Sequence, residues 1–177
     1  MISAESRRRI EGRIRDVPDF PRPGIVFKDI TPLLRDPETL RLACDGLAAG
    51  FQEDRVELVV GIESRGFIFG APVALALGAG FTLARKQGKL PGETLATRYA
   101  LEYGEGEIEM QSDALARGQR VLVIDDVIAT GGTAAATARL VCELGGVLVG
   151  ACFLIELAFL EGRKLLPGIR VEALLRF

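Results

Sequence analysis

The strongest chemical signal in the sequence is a hydrophobic run that ends in two acids and a glycine loop. Residues 121–124 are Val-Leu-Val-Ile, Asp125 and Asp126 follow, and Thr130-Gly-Gly-Thr133 comes shortly after them. Glycine lets a backbone approach a ligand closely, and N–H groups at the start of a helix bind phosphate. The acids repel phosphate, but they suit a vicinal diol or the hydration shell of Mg²⁺. The pattern therefore favours a site for a sugar that carries phosphate.

The same pattern has a plainer interpretation, as a strand-to-helix turn with two hydrated acids. Adjacent side chains on a strand point to opposite faces, so this interpretation lets only one acid face a ligand. No lysine follows the glycines, and Gly-x-Gly-x-x-Gly is absent, which excludes a Walker A loop and a dinucleotide fingerprint. The combination of strand, acid pair, glycine loop and helix favours the ligand-binding interpretation.

The composition limits the chemistry that these residues can perform. The chain has 177 residues, no histidine and a formal net charge of −2. Without histidine, His-based triads and HExxH zinc sites are excluded, so carboxylates, backbone N–H groups and a cation must carry any catalysis. The charge balance disfavours nucleic-acid binding. The apolar runs are too short and interrupted to span a membrane, and the charged N-terminus does not resemble a signal peptide.

Cysteine usage and length indicate the type of protein. Cys44, Cys142 and Cys152 form no Cys-x-x-Cys pair and lie in apolar stretches, which predicts reduced, buried thiols in a cytoplasmic protein. The length suits one well-buried core, and the composition is that of a globular domain. We therefore expect a single domain over residues 1–177.

The elements that must position the acids and the glycine loop alternate along the chain. Apolar runs predict strands at 56–62, 81–84, 120–128, 147–155 and 170–177. Helical spacing and the N-cap Asp36 predict helices at 37–54, 67–77 and 133–144, after a polar helical arm over 3–15. Strand–helix–strand order favours an open α/β fold, with a mainly parallel central sheet flanked by helices. Ligands in such folds bind at the carboxyl ends of the strands.

Two stretches interrupt this order. Residues 18–32 carry too many prolines and glycines for a regular element. Residues 85–97 form a polar loop with three cations, and by composition this loop is mobile. A hairpin of 98–103 and 107–111 should follow it, around Gly104-Glu-Gly106.

The acid and glycine motif is similar to the signature of type I phosphoribosyltransferases, which use 5-phosphoribosyl-1-pyrophosphate (PRPP). Further segments resemble the adenine phosphoribosyltransferase family in the same order, so the resemblance spans essentially the whole chain: 20–31, 61–70, 85–92, 99–104 and 155–157. The resemblance implies a type I phosphoribosyltransferase fold with a small hood and a flexible lid loop. It also implies purine salvage, in which adenine and PRPP give AMP and pyrophosphate.

The resemblance assigns PRPP-binding roles to specific residues. Asp125 and Asp126 would hold the ribose hydroxyls, and the loop that binds the 5′-phosphate would consist of Ala129, Thr130, Gly131, Gly132 and Thr133. Pyrophosphate would be bound by Ser64, Arg65, Arg85, Lys86 and Lys89. The family often has a non-proline cis peptide in the first of these segments, here expected at Glu63–Ser64. Mg²⁺ would enter with PRPP, without a direct protein ligand.

The resemblance also assigns the base site, the catalytic group and the quaternary structure. Phe27 would stack on adenine, the backbones of Val26 and Lys28 would hydrogen-bond its edge, and Leu157 would close the other side. Residues 1–35 or so would form the N-terminal arm and this base-recognition segment. Glu102 would accept a proton from the base or stabilise positive charge at the anomeric carbon, and Tyr103 would belong to the lid. A homodimer is expected. Without the resemblance, Phe27 reads as a core residue and Glu102 as a hydrated strand acid.

Three alternative functions remain open at this point. The chain could act on another purine base, namely xanthine, hypoxanthine or guanine. It could be a regulatory module that senses PRPP without turnover, although such a module tends to carry a DNA-binding segment for which neither length nor charge leaves room. It could also be an α/β domain with a hydrated glycine loop and no PRPP site.

Overall fold

The computed structural model describes residues 2–100 and 105–177. Within these ranges the α-helices are α1 (Ala4–Glu11), α2 (Thr31–Arg35), α3 (Pro37–Ala49), α4 (Gly66–Leu77) and α5 (Gly132–Glu143). The strands are β1 (Arg15–Pro18), β2 (Val26–Asp29), β3 (Leu58–Ile62), β4 (Gly80–Lys86), β5 (Thr94–Ala100), β6 (Glu105–Gln111), β7 (Arg120–Ile128), β8 (Val147–Glu156) and β9 (Val171–Arg176). Short 3₁₀ turns cover Gln52–Asp54, Ala158–Leu160 and Gly162–Leu165. In this part of the chain, no helix has both the length and the apolar character needed to cross a membrane.

In the described ranges, seven strands form one sheet in the order β5-β6-β4-β3-β7-β8-β9. The five strands from β4 to β9 in this order run parallel to one another, and the antiparallel hairpin β5–β6 joins them along β4. The predicted strands at 56–62, 120–128, 147–155 and 170–177 correspond to β3, β7, β8 and β9. The prediction of a mainly parallel α/β fold is confirmed.

The central strand β7 separates two hydrophobic cores by the alternation of its side chains. Val121 and Val123 pack with residues of α5, whereas Leu122 and Ile124 pack with residues of α3 and α4 on the other face. All four side chains are fully buried. Each such burial contributes about 1.5–3 kcal/mol. The part of β7 that leads into Asp125 and Asp126 is therefore packed on both faces.

Helix α3 begins as predicted and ends earlier. The Asp36 carboxylate accepts the backbone N–H groups of Glu38 and Thr39, both at 3.0 Å, and Pro37 occupies the first turn. The helix ends at Ala49 instead of near Asp54. Gly50 caps it, and the buried ring of Phe51 then leads the chain into a 3₁₀ turn.

Residues 18–32 are more regular than the sequence predicted. β2 pairs antiparallel with β1, which brings Val17 opposite Phe27, and α2 begins at Thr31. Pro18 ends β1, Pro32 lies in the first turn of α2, and the other prolines and the glycine lie in the connection between the two strands. The prediction was wrong because strands of four residues are too short to show an alternating pattern.

The polar loop predicted at 85–97 is shorter in the structure. β4 extends to Lys86 and β5 begins at Thr94, so the turn comprises only residues 87–93. The buried Glu109 carboxylate accepts the backbone N–H groups of Lys89 and Leu90 at 3.0 and 3.1 Å. Composition could not reveal this anchor, because Glu109 lies about 20 residues along the chain.

The cysteines are free, in agreement with the absence of paired spacing. Cys44 and Cys152 are buried, whereas Cys142 is exposed on α5. The prediction of three buried thiols was therefore wrong for Cys142. Burial raises the pKa of the Cys44 thiol to about 11, so this thiol stays protonated at neutral pH.

Candidate active site

A cavity of about 460 Å³ lies at the carboxyl ends of β3 and β7. Its walls come from the loop after β3, the end of β7, the glycine loop and the start of α5. It is lined by Glu63, Ser64, Arg65, Lys86, Asp125, Asp126, Val127, Ile128, Ala129, Thr130, Gly131, Gly132, Thr133 and Ala134. Both acids and all five residues of the predicted phosphate loop thus contribute to one cavity.

The two acids form a closely coupled pair. The plainer interpretation let only one of them face a ligand, but both Asp125 and Asp126 line the cavity. The backbone N–H of Asp126 donates to Asp125 Oδ1 at 2.8 Å. Burial, and next the neighbouring Asp126 charge, raise the pKa of Asp125 well above its ordinary value of 3.8. Burial also raises the pKa of Asp126, while Arg65 opposes that rise. Hydroxyl donors of a ligand would restore some of the hydration that the pair has lost.

Arg65 connects the acid pair to the predicted base site. Its Nε lies 2.7 Å from Asp126 Oδ2, and its guanidinium carbon lies 5.2 Å from the centre of the Phe27 ring. Phe27 in turn contacts Phe20 edge-to-face, at 5.2 Å between ring centroids. Arg65 therefore contacts both Asp126, which is a candidate for binding the sugar diol, and Phe27, which is a candidate for stacking on the base.

The glycine loop has the backbone geometry of an anion site. Gly131 is the N-cap of α5 with φ of 84°, a region that glycine adopts without steric cost. The first N–H groups of a helix lack partners inside the helix, and the helix dipole makes this end positive. No acid occupies the first turn of α5. The loop predicted to bind the 5′-phosphate, Ala129 to Thr133, thus includes a positive helix end that suits an anion.

Glu63 is a site residue that the sequence did not reveal. Its carboxylate contacts Lys89 Nζ at 3.1 Å and Arg85 Nε at 3.3 Å, and it accepts the Lys86 N–H at 3.0 Å. Burial pushes the pKa of Glu63 upward, but these donors outweigh burial and leave the pKa lowered. The partners are more than 20 residues away, so local patterns could not pair them. The Glu63–Ser64 peptide is cis, as the resemblance implied.

The three predicted pyrophosphate cations on β4 and its turn take different positions. Lys86 lines the cavity. The side chains of Arg85 and Lys89 instead meet Glu63 at the edge of the cavity, and Arg85 Nη1 also donates to the Lys89 carbonyl at 3.0 Å. The cations are therefore gathered near the cavity with one carboxylate as their shared counter-ion.

The predicted base residues lie beside the cavity and do not line it. Val26, Phe27 and Lys28 lie on β2, and Phe27 is half-buried rather than part of the core. Lys28 Nζ pairs with Asp16 at 2.7 Å and lies 4.1 Å from the Phe177 ring centre. The Leu157 N–H donates to the Ile128 carbonyl at 3.0 Å, which ties Leu157 to the end of β7. Glu102 and Tyr103 lie outside the described residues.

The acids also bear on metal binding. Among residues 2–100 and 105–177, no group of three or more His, Cys, Asp or Glu side chains is arranged to hold a metal ion. Mg²⁺ commonly keeps several waters and uses one or two carboxylates together with substrate phosphates. Two acids beside a loop with the backbone geometry of an anion site fit that kind of shared site.

Comparisons with known proteins agree with this geometry. The phosphoribosyl transferase domain family matches residues 34–164. An adenine phosphoribosyltransferase of Myxococcus xanthus is 59% identical over 168 residues, which are 95% of this chain and 91% of that protein. The chain belongs to the adenine phosphoribosyltransferase family. The resemblance in the sequence is thus confirmed at the level of the family.

Solved structures of the adenine phosphoribosyltransferase family share the fold. The protein of Rhodothermus marinus has 56% identity and a TM-score of 0.94, over 99% of this chain and 100% of that one. The Saccharomyces cerevisiae protein has 39% identity and a TM-score of 0.92, over 97% of this chain and 99% of that one. The yeast protein was crystallised with adenine and D-2,5-dideoxy-2,5-imino-altritol 1,6-bisphosphate. The type I fold predicted from the motifs is confirmed.

Proposed function

We propose that this chain transfers the 5-phosphoribosyl group of PRPP to adenine, releasing AMP and pyrophosphate in purine salvage. The observation that carries this proposal is the cavity itself, in which the acid pair, the glycine loop and Arg65 meet. Phe27 lies next to Arg65, so a base stacked there would be close to a sugar held by the acids. The adenine and the bisphosphate in the yeast relative support the same pairing of ligands.

The proposed sugar and phosphate contacts follow from charge and donor geometry. Asp125 and Asp126 accept hydrogen bonds from the two ribose hydroxyls. The N–H groups of Ala129 to Thr133, with the threonine hydroxyls, hold the 5′-phosphate at the positive end of α5. The carboxylate oxygens thus accept hydrogen bonds from the ribose hydroxyls, and the loop N–H groups donate hydrogen bonds to the phosphate.

The proposed pyrophosphate site combines cations with the loop after β3. Ser64, Arg65 and Lys86 reach the leaving group from the cavity walls, and Arg85 and Lys89 reach it from the Glu63 cluster. Mg²⁺ is proposed to bind with PRPP near Asp125 and Asp126, and when bound it neutralises part of the phosphate charge. In the proposed reaction the bond from C1′ to the pyrophosphate oxygen breaks, the bond from C1′ to N9 forms, and the N9 proton leaves. The protein residues accelerate it by positioning and by stabilising the negative charge that develops on pyrophosphate.

The base site and the catalytic group remain proposals from the family resemblance. Phe27 stacks on adenine, Val26 and Lys28 present backbone groups to its edge, and Leu157 closes the opposite side. Glu102 is proposed as the catalytic carboxylate and Tyr103 as part of a lid. The pairing of β1 with β2 supports the stacking role of Phe27, because it holds Phe27 beside Arg65.

We further propose that residues 1–177 act as one domain, and that the protein works as a cytoplasmic homodimer. Free, buried Cys44 and Cys152 support a reducing compartment. The dimer is supported by helix α4, which has no polar side chain and leaves Ile68 and Leu75 exposed.

The test of the function is AMP formation, measured by chromatography after the protein is mixed with Mg²⁺, PRPP and adenine. We expect AMP and pyrophosphate in equal amounts. With hypoxanthine, guanine or xanthine in place of adenine, we expect rates lower by on the order of 10²-fold or more, because the edge of the base is read by hydrogen bonds. Faster turnover of another base would show that this base is the substrate. PRPP binding without any product would show that the chain is a PRPP-sensing module.

A further inference from the structure

A segment of the chain packs directly against the glycine loop, and none of its residues lines the cavity. This back segment comprises residues 158–165, the two 3₁₀ turns between β8 and β9. A Cβ on Gly162 would overlap the Ala129 carbonyl oxygen and lie 2.9 Å from the Gly131 nitrogen. A Cβ on Gly131 would likewise overlap the Gly162 carbonyl oxygen. The two glycines thus bring the back segment and the loop into backbone contact.

Space, not conformation, is what requires glycine at position 162. The φ of Gly162 lies outside the left-handed region, so other residues could adopt its backbone conformation. Only the distance to the loop excludes a side chain. Any displacement of Gly162 toward the loop would therefore push on Ala129 and Gly131.

Arg163, the next residue, is fixed in place by a buried carboxylate. Its Nε and Nη2 donate to the two Glu156 oxygens at 2.7 and 2.8 Å, and its Nη1 donates to the Val171 carbonyl at 2.5 Å. Glu156 is buried, and the Arg163 hydrogen bonds lower its pKa. A bidentate ion pair of this kind fixes the orientation of the guanidinium as well as its distance from the carboxylate. Arg163 therefore connects the back segment to the end of β8 and the start of β9.

We propose that Arg163, held by Glu156, is a positioning residue for the 5′-phosphate loop. The proposal rests on the proposed function, in which that loop binds the phosphate of PRPP and AMP. A glycine-rich loop has little stiffness of its own, and its N–H groups bind phosphate well only if they converge. The contact between Gly162 and Gly131 supplies the missing stiffness, and the Glu156–Arg163 pair fixes Gly162.

The test compares ligands that differ only in the phosphate. AMP and adenosine are titrated calorimetrically into the wild type and into Arg163→Gln. We expect AMP to bind about tenfold or more weakly to the variant, because misplacing the loop weakens only phosphate contacts. Adenosine affinity should stay within about twofold. In turnover assays the KM for PRPP should rise, while the KM for adenine should not.

Two further variants separate positioning from general stability. Gly162→Ala leaves the ion pair intact and adds one methyl group at the contact, so it should show the same selective loss of AMP affinity even where Arg163→Gln folds poorly. Lys164→Gln is the matched control, because the neighbouring Lys164 pairs with Glu161 on the surface. Gly50→Ala controls for the glycine change, since its Cβ would meet only ordinary contacts at 3.8 Å.

The outcomes distinguish this inference from the proposed function. Absence of AMP formation by the wild type would overturn the function itself. If the wild type forms AMP but AMP affinity and the KM for PRPP are unchanged in Arg163→Gln and Gly162→Ala, the positioning role is wrong. Equal losses of AMP and adenosine affinity would also overturn it.

Discussion

Asp125 and Asp126 carry their charge at the end of a buried strand, where carboxylates lose much of their hydration. Arg65 offsets part of this cost for Asp126, at 2.7 Å, whereas burial and the neighbouring Asp126 charge both raise the pKa of Asp125. The raised pKa of Asp125 means that its ionised form is less favourable in the folded protein than in the unfolded chain. Asp125, which suits a sugar hydroxyl, thus lowers the free energy of unfolding of the protein.

Replacing Asp125 by Asn should separate these two effects. The amide oxygen can still accept the Asp126 N–H, but the costly charge is gone. At neutral pH, which lies above the unfolded pKa, the variant should melt a few degrees higher than the wild type, as measured by thermal unfolding. The gain should vanish below the ordinary pKa of 3.8, where Asp125 is protonated in both states.

The same Asp125→Asn variant should bind AMP about tenfold or more weakly, since a neutral amide accepts hydroxyl hydrogen bonds less strongly than a carboxylate. Asp113→Asn, at an exposed loop position, is the control and should change neither quantity. A lower melting temperature combined with unchanged AMP affinity would contradict both halves of the argument.

The sequence predicted the groups that converge locally, but it could not predict the contacts that join residues far apart along the chain. Asp125, Asp126 and the glycine loop stand within nine residues, so their convergence was visible. The Arg65–Asp126 pair and the Glu63 cluster join segments far apart along the chain. Only the fold brings these groups together, so no spacing rule could have predicted them.

The turn at residues 87–93 owes its shape to one side chain on the neighbouring strand β6. Burial pushes the pKa of Glu109 upward, but the N–H groups of Leu90, Lys89 and Gly88 and the Thr94 hydroxyl outweigh it and leave the pKa lowered. The turn carries Lys89 and borders Arg85, so this anchor also bears on the cation cluster.

Glu109→Gln should therefore destabilise the protein at neutral pH by about 1–3 kcal/mol, because an amide oxygen accepts the turn N–H groups less strongly. A carboxyl group with a lowered folded pKa contributes stability above its unfolded pKa and loses it as the pH falls through the folded value. The difference from the wild type should thus be full at neutral pH and shrink below 4.5. Denaturant unfolding at several pH values measures it.

Glu107→Gln provides the comparison for this experiment. Glu107 lies on the same strand and pairs more loosely with Arg98, at 3.5 Å. Its replacement should lower the free energy of unfolding much less than the Glu109 replacement does. A Glu109→Gln penalty that stays constant through acid pH would show that the carboxylate charge is not what holds the turn.

At the level of elements, prediction succeeded where a single pattern was long enough. β7 was predicted with its observed bounds, because nine consecutive residues form a mostly apolar run. β2 was missed, since its four residues follow a proline-rich turn, and its pairing with β1 is a tertiary contact. The extension of β4 to Lys86 was missed because polar side chains there conceal the strand.

The outer surface of the molecule includes one helix face that a monomer would leave in water. Leu75 is 83% exposed and Ile68 is 39% exposed, and their separation of two helical turns puts them on the same face of α4. The helix begins at Gly66, next to the Ser64–Arg65 segment, so a partner on this face would lie close to the cavity.

Leu75→Glu and Ile68→Glu should therefore each shift the protein from a dimer toward a monomer. A charge buried in an apolar interface is costly unless it is paired. Sedimentation velocity measures the change, and we expect the wild type at twice the mass of one chain. Val147→Glu, at an exposed apolar position on β8, should leave the dimer intact. A monomeric wild type would refute the assignment of this face.

The division of β7 between two cores has a consequence for how such a chain can change over time. Loops can gain or lose residues one at a time, but a single residue added to this strand would exchange its two sets of buried side chains unless a β-bulge absorbed it, as at the Val121–Leu122 step of the pairing with β8. Without a bulge, Leu122 and Ile124 would meet α5, and the two acids would swap faces. Insertions in the strand must therefore come in pairs or in bulges if both cores and the cavity are to survive together.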